Sequence, residues 1–224
     1  MPDARRIIDL SHAIVHDMVT NPWLQKPLIS EFVTRDQSAS FSETGVTFHM
    51  ALFSMPGMTG TYLDSPFQFH AGGADVSSVP LEQLFDVPIA VIRIPAGIRP
   101  IGPEHFRPFE ADLGGAAVLV HTGHSRHWGT GDFFRDSPYL TADAVDFLVS
   151  VRPRVVGIDS QNIDLGTDKT KPAQHRLLGA DVVLLECMTG LAEVPDRGAL
   201  LRVLPTPIRG AGCFPVRPVA LVGA

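Results

Sequence analysis

Three short apolar segments that run straight into polar clusters constrain this chain more than any other feature. AAVLVHTG (116–123) opens into HTGHSRHWGTG, PRVVGIDS (153–160) into GIDSQNIDLGTD, and ADVVLLECM (180–188) into ECMTG. Each is brief and mostly apolar and ends in turn chemistry, so each reads as a buried strand. VPIAVIRI (87–94) is another, and RIIDLSHAI near the start and LLRVLPTPI (200–208) add two more. VTFHMALFSM (46–55) and TGTYLDSPFQF read as strands followed by irregular chain, because Gly57, Gly60 and Pro66 punctuate them.

Helices are fewer. TADAVDFLVSV (141–151) sets Ala144, Val145, Leu148 and Val149 at helical spacing behind a Thr141 cap, between two of the strands, which makes a β–α–β passage. SSVPLEQLF (77–85) has Ser before Pro and then Glu, the pattern of a helix start. With 20 Gly and 19 Pro the chain holds too much turn chemistry for a helical bundle. The expected fold class is α/β with a strand-rich core. No repeat, low-complexity tract or linker interrupts it, so one domain over 1–224 is expected.

Lys and Arg number 18 against 24 Asp and Glu, and the cations are scattered, so no nucleic-acid face is expected. No apolar run approaches the roughly 20 residues of a membrane span. The start, MPDARRIIDLSH, has no leader-like apolar segment. The two cysteines, Cys187 and Cys213, lie outside any C-x-x-C pair, which suits reduced thiols and a cytoplasmic location.

Polar groups delivered from strand ends are how open α/β sheets build sites. Glu186 ends an apolar strand, where a carboxylate needs a partner, either a reacting group or an arginine. Asp64 joins it if the GTYLDSP loop folds over the same edge; otherwise it caps the turn before Pro66. His175, in KPAQHRLL, is either part of that set or a surface histidine. Strand alternation turns Cys187 toward the core if Glu186 faces a site. His121, His124 and His127 recur every third residue without an accompanying Cys or carboxylate, which is a poor zinc pattern. No Lys-Ser/Thr follows Gly131 and no G-x-S-x-G occurs, so neither a phosphate loop nor a serine elbow is present.

Taken in order, RIIDLSHAI, TGTYLDSPFQF, VLVHTGHSRHWG, VGIDSQNID, QHRLLGADVVLLECMTGL and FPVRPVAL resemble the cyclase family, which includes bacterial kynurenine formamidase, isatin hydrolase and polyketide ring cyclases. The resemblance runs from about Ile8 to Val219. It implies a swivelling β/β/α-type fold assembled as a homodimer or homotetramer. Hydrolytic members carry H-x-G-T-H-x-D-x-P-x-H, in which two His and the Asp bind zinc or manganese and the last His is the acid–base group. On this chain those positions fall on Met58, Tyr62, Asp64 and Gln68, with His70 two residues beyond. A later His and Glu that complete the metal site match His175 and Glu186.

Met58, Tyr62 and Gln68 therefore depart from the pattern. A thioether is a poor zinc or manganese ligand, and a phenol of pKa about 10 is little better. The expectation is no cofactor, with at most a weak residual zinc or manganese site on Asp64, His175 and Glu186. The catalytic candidates are Asp64, His175, Glu186, Tyr62 and Gln68. Trp23, Phe53, Phe67 and Trp128 are candidate pocket walls, and His70, His124 and Gln161 further substrate-binding candidates; ordinary core packing is the alternative, more so for Phe53.

The leading reading is metal-independent acid–base chemistry on a carbonyl-containing small molecule: cyclisation, dehydration or isomerisation, as in polyketide biosynthesis. The alternative is an arylformamidase-like hydrolase of an amide, lactam or ester. A third is a ligand-binding relative without a reaction.

Overall fold

Residues 5–223 are described in a computed structural model. Residues 1–4, where the reading of a leader-free start begins, and residue 224 lie outside the described residues. In chain order the strands are β1 (Arg6–Asp9), β2 (Leu28–Val33), β3 (Met50–Ser54), β4 (Tyr62–Asp64), β5 (Phe85–Arg93), β6 (Pro100–Ile101) and β7 (Ala117–His121). They continue with β8 (Tyr139–Leu140), β9 (Val155–Ile158), β10 (Val183–Glu186), β11 (Ala199–Arg202), β12 (Cys213–Pro215) and β13 (Val219–Val222). The α-helices are α1 (Arg35–Ala39), α2 (Glu110–Leu113), α3 (Ala142–Val151) and α4 (Pro172–Gly179).

Nine strands form one sheet in the order β1-β13-β11-β5-β7-β9-β10-β4-β12. Its centre, β5-β7-β9-β10, is parallel, because α3 and α4 return the chain across one face between β7, β9 and β10. The flanks are antiparallel. Parallel strands covered on both faces read as continuous apolar runs, which is why AVLV, VVGI and VLL lack alternation. One apolar layer, with Leu148, Leu177 and Leu184, lies under the helices; the other, with Leu63, Val87 and Leu185, fills the opposite face. The fold is α/β and strand-rich, as the sequence implies.

Thr141 caps α3 by accepting the Ala144 N–H at 3.3 Å. Several expected elements are shorter than expected. The stretch 77–85 makes only a 3₁₀ turn at Leu81–Gln83, because Phe85 already enters β5. The last long strand stops at Arg202, before Pro205 and Pro207. The strand expected over 46–55 begins at Met50 and pairs only with β2, in a separate two-stranded sheet. Among the described residues, no helix is long and apolar enough to cross a membrane.

Candidate active site

β4 has only three residues, and the two-residue period of a strand puts Tyr62 and Asp64 on one face and Leu63 on the other. Leu63 enters the apolar layer away from the helices. Antiparallel pairing sets Glu186 of β10 opposite Tyr62, and Cys213 of β12 opposite Asp64. Residues directly opposite share a face. The register thus gathers Tyr62, Asp64, Glu186 and Cys213 on the helix side of the sheet, where the first three are buried.

Among the described residues, no arginine pairs with Glu186. The Tyr62 hydroxyl donates to its Oε2 in a close hydrogen bond, the Ile163 backbone N–H donates to Oε1 at 2.8 Å, and Asn162 Nδ2 reaches Oε2 at 3.4 Å. Asn162 and Ile163 belong to the polar chain that follows β9, so the loop after one strand clamps the acid ending the next. Asp64 caps no turn. Its Oδ2 accepts from Gln174 Nε2 at 3.4 Å, and its Oδ1 is buried without a partner among the described residues.

Gln174 reaches Asp64 because of how α4 begins. Asp164 accepts the N–H groups of Ala173 at 2.7 Å and Gln174 at 3.0 Å, which anchors the first turn behind Pro172. The helical period then buries Ala173, Gln174, Leu177 and Leu178 and turns His175 outward. His175, a catalytic candidate in the sequence, therefore does not join the two carboxyls and takes the surface alternative. It is exposed, its ring lies 4.7 Å from that of His70, and its carbonyl accepts from His70 Nε2 at 2.8 Å. His70 is thus drawn to the same surface.

Burial dominates the electrostatics. It raises the Asp64 carboxyl well above its ordinary range, with the charge of Glu186 adding to the rise and Gln174 opposing it. Burial also lifts Glu186 to about 7, against the lowering effect of its bonds from Tyr62 and Ile163. Tyr62 is raised by burial and then by the charges of Glu186 and Asp64. These shifts favour the protonated form of Asp64 and leave Glu186 near half ionisation at neutral pH.

Cys187 departs from the expectation that it faces the core opposite Glu186. It follows the end of β10 with φ +55°, a left-handed kink that breaks the alternation. Its side chain packs with Tyr62 and Phe133, beside Met58, Trp128 and Cys213. Both cysteines are free thiols; burial and then the two carboxyls push Cys187 up, and Cys213 to about 12. Neither is a ready thiolate at neutral pH.

The segment after β1 crosses β4. The His12 N–H donates to Thr61 Oγ1 at 3.0 Å, and Gly60 sits beneath with φ +69°, where a Cβ would stand 2.9 Å from Ile14 Cγ1. The His12 ring stacks on Trp128 at 4.1 Å, and Trp128 meets Phe133 edge-on at 5.0 Å. Trp128 is therefore part of the site surround. His124 lies behind it, with Nε2 donating to the Phe133 carbonyl at 3.0 Å, so its contact is with the loop.

Gln161 comes close through its backbone, whose carbonyl accepts from Cys187 Sγ at 3.6 Å. Gln68 packs against the backbone at Gly212, and Phe67 lies in the turn beyond Asp64. Trp23 is 92% exposed and Phe53 60% exposed, so within one chain neither is a pocket wall or a core residue.

A metal held as in the hydrolytic pattern does not fit these residues. Tyr62 already donates to Glu186, Met58 offers a thioether, and the side-chain bonds to the two carboxyls come from Tyr62, Asn162 and Gln174, none of them a histidine. Among the described residues no three His, Cys, Asp or Glu side chains are arranged to hold a metal ion. The unpartnered Asp64 Oδ1 by itself supplies one hard oxygen.

Sequence and fold comparisons agree with this architecture. The Cyclase family model matches residues 8–165, and the chain belongs to the cyclase family. It is 28% identical over 211 residues to a kynurenine formamidase of Bacillus anthracis, covering 90% of this chain and 98% of that one. A kynurenine formamidase of Maricaulis maris is 31% identical over 165 residues, 72% of this chain and 75% of that one. Isatin hydrolase A from Labrenzia aggregata, solved bound to benzyl benzoate, superposes with a TM-score of 0.83 at 25% identity, covering 98% of this chain and 94% of that one. These relatives are enzymes, and their names are those of hydrolases.

Reading the sequence missed two residues of the site, Gln174 and His12. Gln174 adjoins the residue that was singled out, and only the helix phase separates them. His12 ends the DLSH of RIIDLSHAI, which marks a polar exit from a strand like the three in the central sheet.

Proposed function

We propose that this protein hydrolyses an amide or lactam bond of a small aromatic molecule without a resident metal. The observation that carries the reading is the buried Asp64–Glu186–Tyr62 cluster, a proton-transfer set on the fold of the formamidase and isatin hydrolase relatives. Those names point to a formylated aromatic amine or a cyclic aryl amide as the substrate class. The relatives therefore favour the hydrolytic alternative over cyclisation, and polyketide chemistry has no separate support.

Amide hydrolysis needs an acid for the departing nitrogen and a base for the attacking water. Asp64, whose protonated form burial favours, supplies the acid. Glu186, at about 7 and held by the Tyr62 hydroxyl, takes up or releases a proton at little cost at that pH. Trp128 and Phe133 give an apolar flank that suits an aryl group.

Formanilide and isatin are the test substrates. Wild-type protein is expected to hydrolyse at least one of them, to do so undiminished after exhaustive chelation, and to carry well under one equivalent of zinc or manganese. Loss of turnover on chelation, restored by either ion, would overturn the metal-free part. The donor set favours a second reading, proton transfer at a carbon beside a carbonyl. Solvent deuterium entering a ketone with no bond cleaved would select it.

A second copy of this chain is the proposed cover for β2 and β3. Leu28, Phe32, Met50, Leu52 and Phe53 are exposed on a two-stranded sheet with no core of its own, and Phe41 and Trp23 are exposed nearby. An isolated two-stranded ribbon is marginal in water, and so large an exposed apolar surface marks an interface. Sedimentation at micromolar concentration should show a dimer or larger; the monomer mass alone would contradict this.

A further inference from the structure

We propose that His12 is the base that takes the proton from the attacking water, an assignment that rests on the hydrolytic reading above. Its Nε2 is buried and has no hydrogen-bond partner among the described residues, although the ring is fixed on both sides. One face stacks on Trp128 at an interplanar angle of 5°. The Met188 backbone favours the protonated ring, against the lowering effect of burial. In the proposed tautomer the ring proton sits on Nδ1, and Nε2 presents a free lone pair.

The backbone ties His12 to the two strands that carry the acids. The His12 N–H donates to Thr61 Oγ1 at 3.0 Å, and Thr61 Oγ1 donates to the Cys187 carbonyl at 2.6 Å. His12 is thereby tied to the residue before Tyr62 and the residue after Glu186. It borders a cleft of about 610 Å³, while Trp128 borders one of about 570 Å³, so the stacked pair is their common wall. The charged groups of the first cleft, Asp9 and Arg217, pair with each other at 2.9 Å and leave the imidazole uncharged company. Burial lowers its pKa to about 4, which keeps it neutral and able to accept at neutral pH.

In the step proposed, the water oxygen bonds to the carbonyl carbon as a water proton passes to His12 Nε2. The C–N bond then breaks, and the nitrogen leaves with its electron pair and takes the proton of Asp64. The imidazolium returns its proton through solvent to the Asp64 carboxylate. One water is consumed and every protein group is restored.

His12→Ala is expected to lower kcat by about 100-fold or more, the usual scale for a positioned base. KM should change little, and added imidazole should restore part of the rate. His12→Gln, which retains bulk and an acceptor but takes up no proton, should be as slow as His12→Ala. An unchanged kcat in His12→Ala, or full activity in His12→Gln, overturns the assignment in favour of a packing role. Nitrogen-15 chemical shifts of the wild type give an independent readout should either variant fail to fold. A deprotonated Nε2 at pH 7 supports the proposal, and an Nε2–H tautomer or an imidazolium overturns it. Absence of wild-type hydrolysis sinks the hydrolytic reading itself, and with it the role of base for water; a hydrolytic wild type with a fully active His12→Ala sinks only the assignment of His12.

Discussion

Asp64→Asn is expected to lower turnover by about 100-fold or more, the scale of a positioned acid or base, while the protein at neutral pH loses no stability. The carboxyl is completely buried, and burial with the neighbouring charge of Glu186 favours its protonated form. Asparagine reproduces the neutral group in size, and its oxygen can still accept from Gln174 as Oδ2 does. What it lacks is a transferable proton. A structural Asp64 would therefore be replaced without consequence for rate, and a catalytic one would not. Rates on the cognate substrate, with melting temperatures recorded beside them, make the measurement. Near wild-type kcat would remove Asp64 from the mechanism.

Ionisation of Glu186 should cost the folded state about 3 kcal/mol as pH rises from about 4.5 to about 7, and Glu186→Gln should remove that part of the pH dependence. Glu186 titrates at about 7 when folded, against 4.5 ordinarily. A raised acid contributes stability that is fully present below the unfolded value and disappears as pH climbs through the folded one. Between the two, the unfolded chain releases a proton that the folded chain retains, and every tenfold difference in acidity between the two states is worth about 1.4 kcal/mol. Asp64 is raised in the same direction. Glutamine still accepts the Ile163 N–H and has nothing to ionise. Urea midpoints at a series of pH values would show it. Parallel pH profiles for Glu186→Gln and wild type would mean that Glu186 is not the group responsible.

Much of the sheet could be read in advance because its strands are covered on both faces. Continuous apolar runs such as VVGI and VLL allow few other structures at that length, and Thr141 announces α3 by its own capping bond. The two carboxyls were legible for a related reason: Glu186 ends such a run, and Asp64 lies in GTYLDSP, which carries the family resemblance. The helix expected at 77–85 failed because its cap pattern is local, whereas β5 is held by distant pairing, to β11 from Phe85 and to β7 from Ile89. Trp23 and Phe53 were misplaced as walls because an aromatic residue in a sequence does not reveal whether its cover comes from its own chain.

The sequence by itself determined the strand-rich α/β class, the strand ends where polar groups emerge, and the departure of Met58, Tyr62 and Gln68 from a metal-binding pattern. Only the tertiary structure decided which of those groups meet. Tyr62 and Glu186 are 124 residues apart, and strand register alone sets them opposite each other. Gln174 and His175 are adjacent, yet about 100° of helical rotation separates them, and the phase is set by Asp164 gripping the first turn. Cys187 joins the site because one left-handed residue breaks strand alternation. His12 reaches it because its segment is tied to Thr61 and its ring to Trp128. Periodicity encodes which face a residue shares with its near neighbours. Pairing register, helix phase and backbone kinks depend on contacts between distant segments, and no local window of sequence contains them.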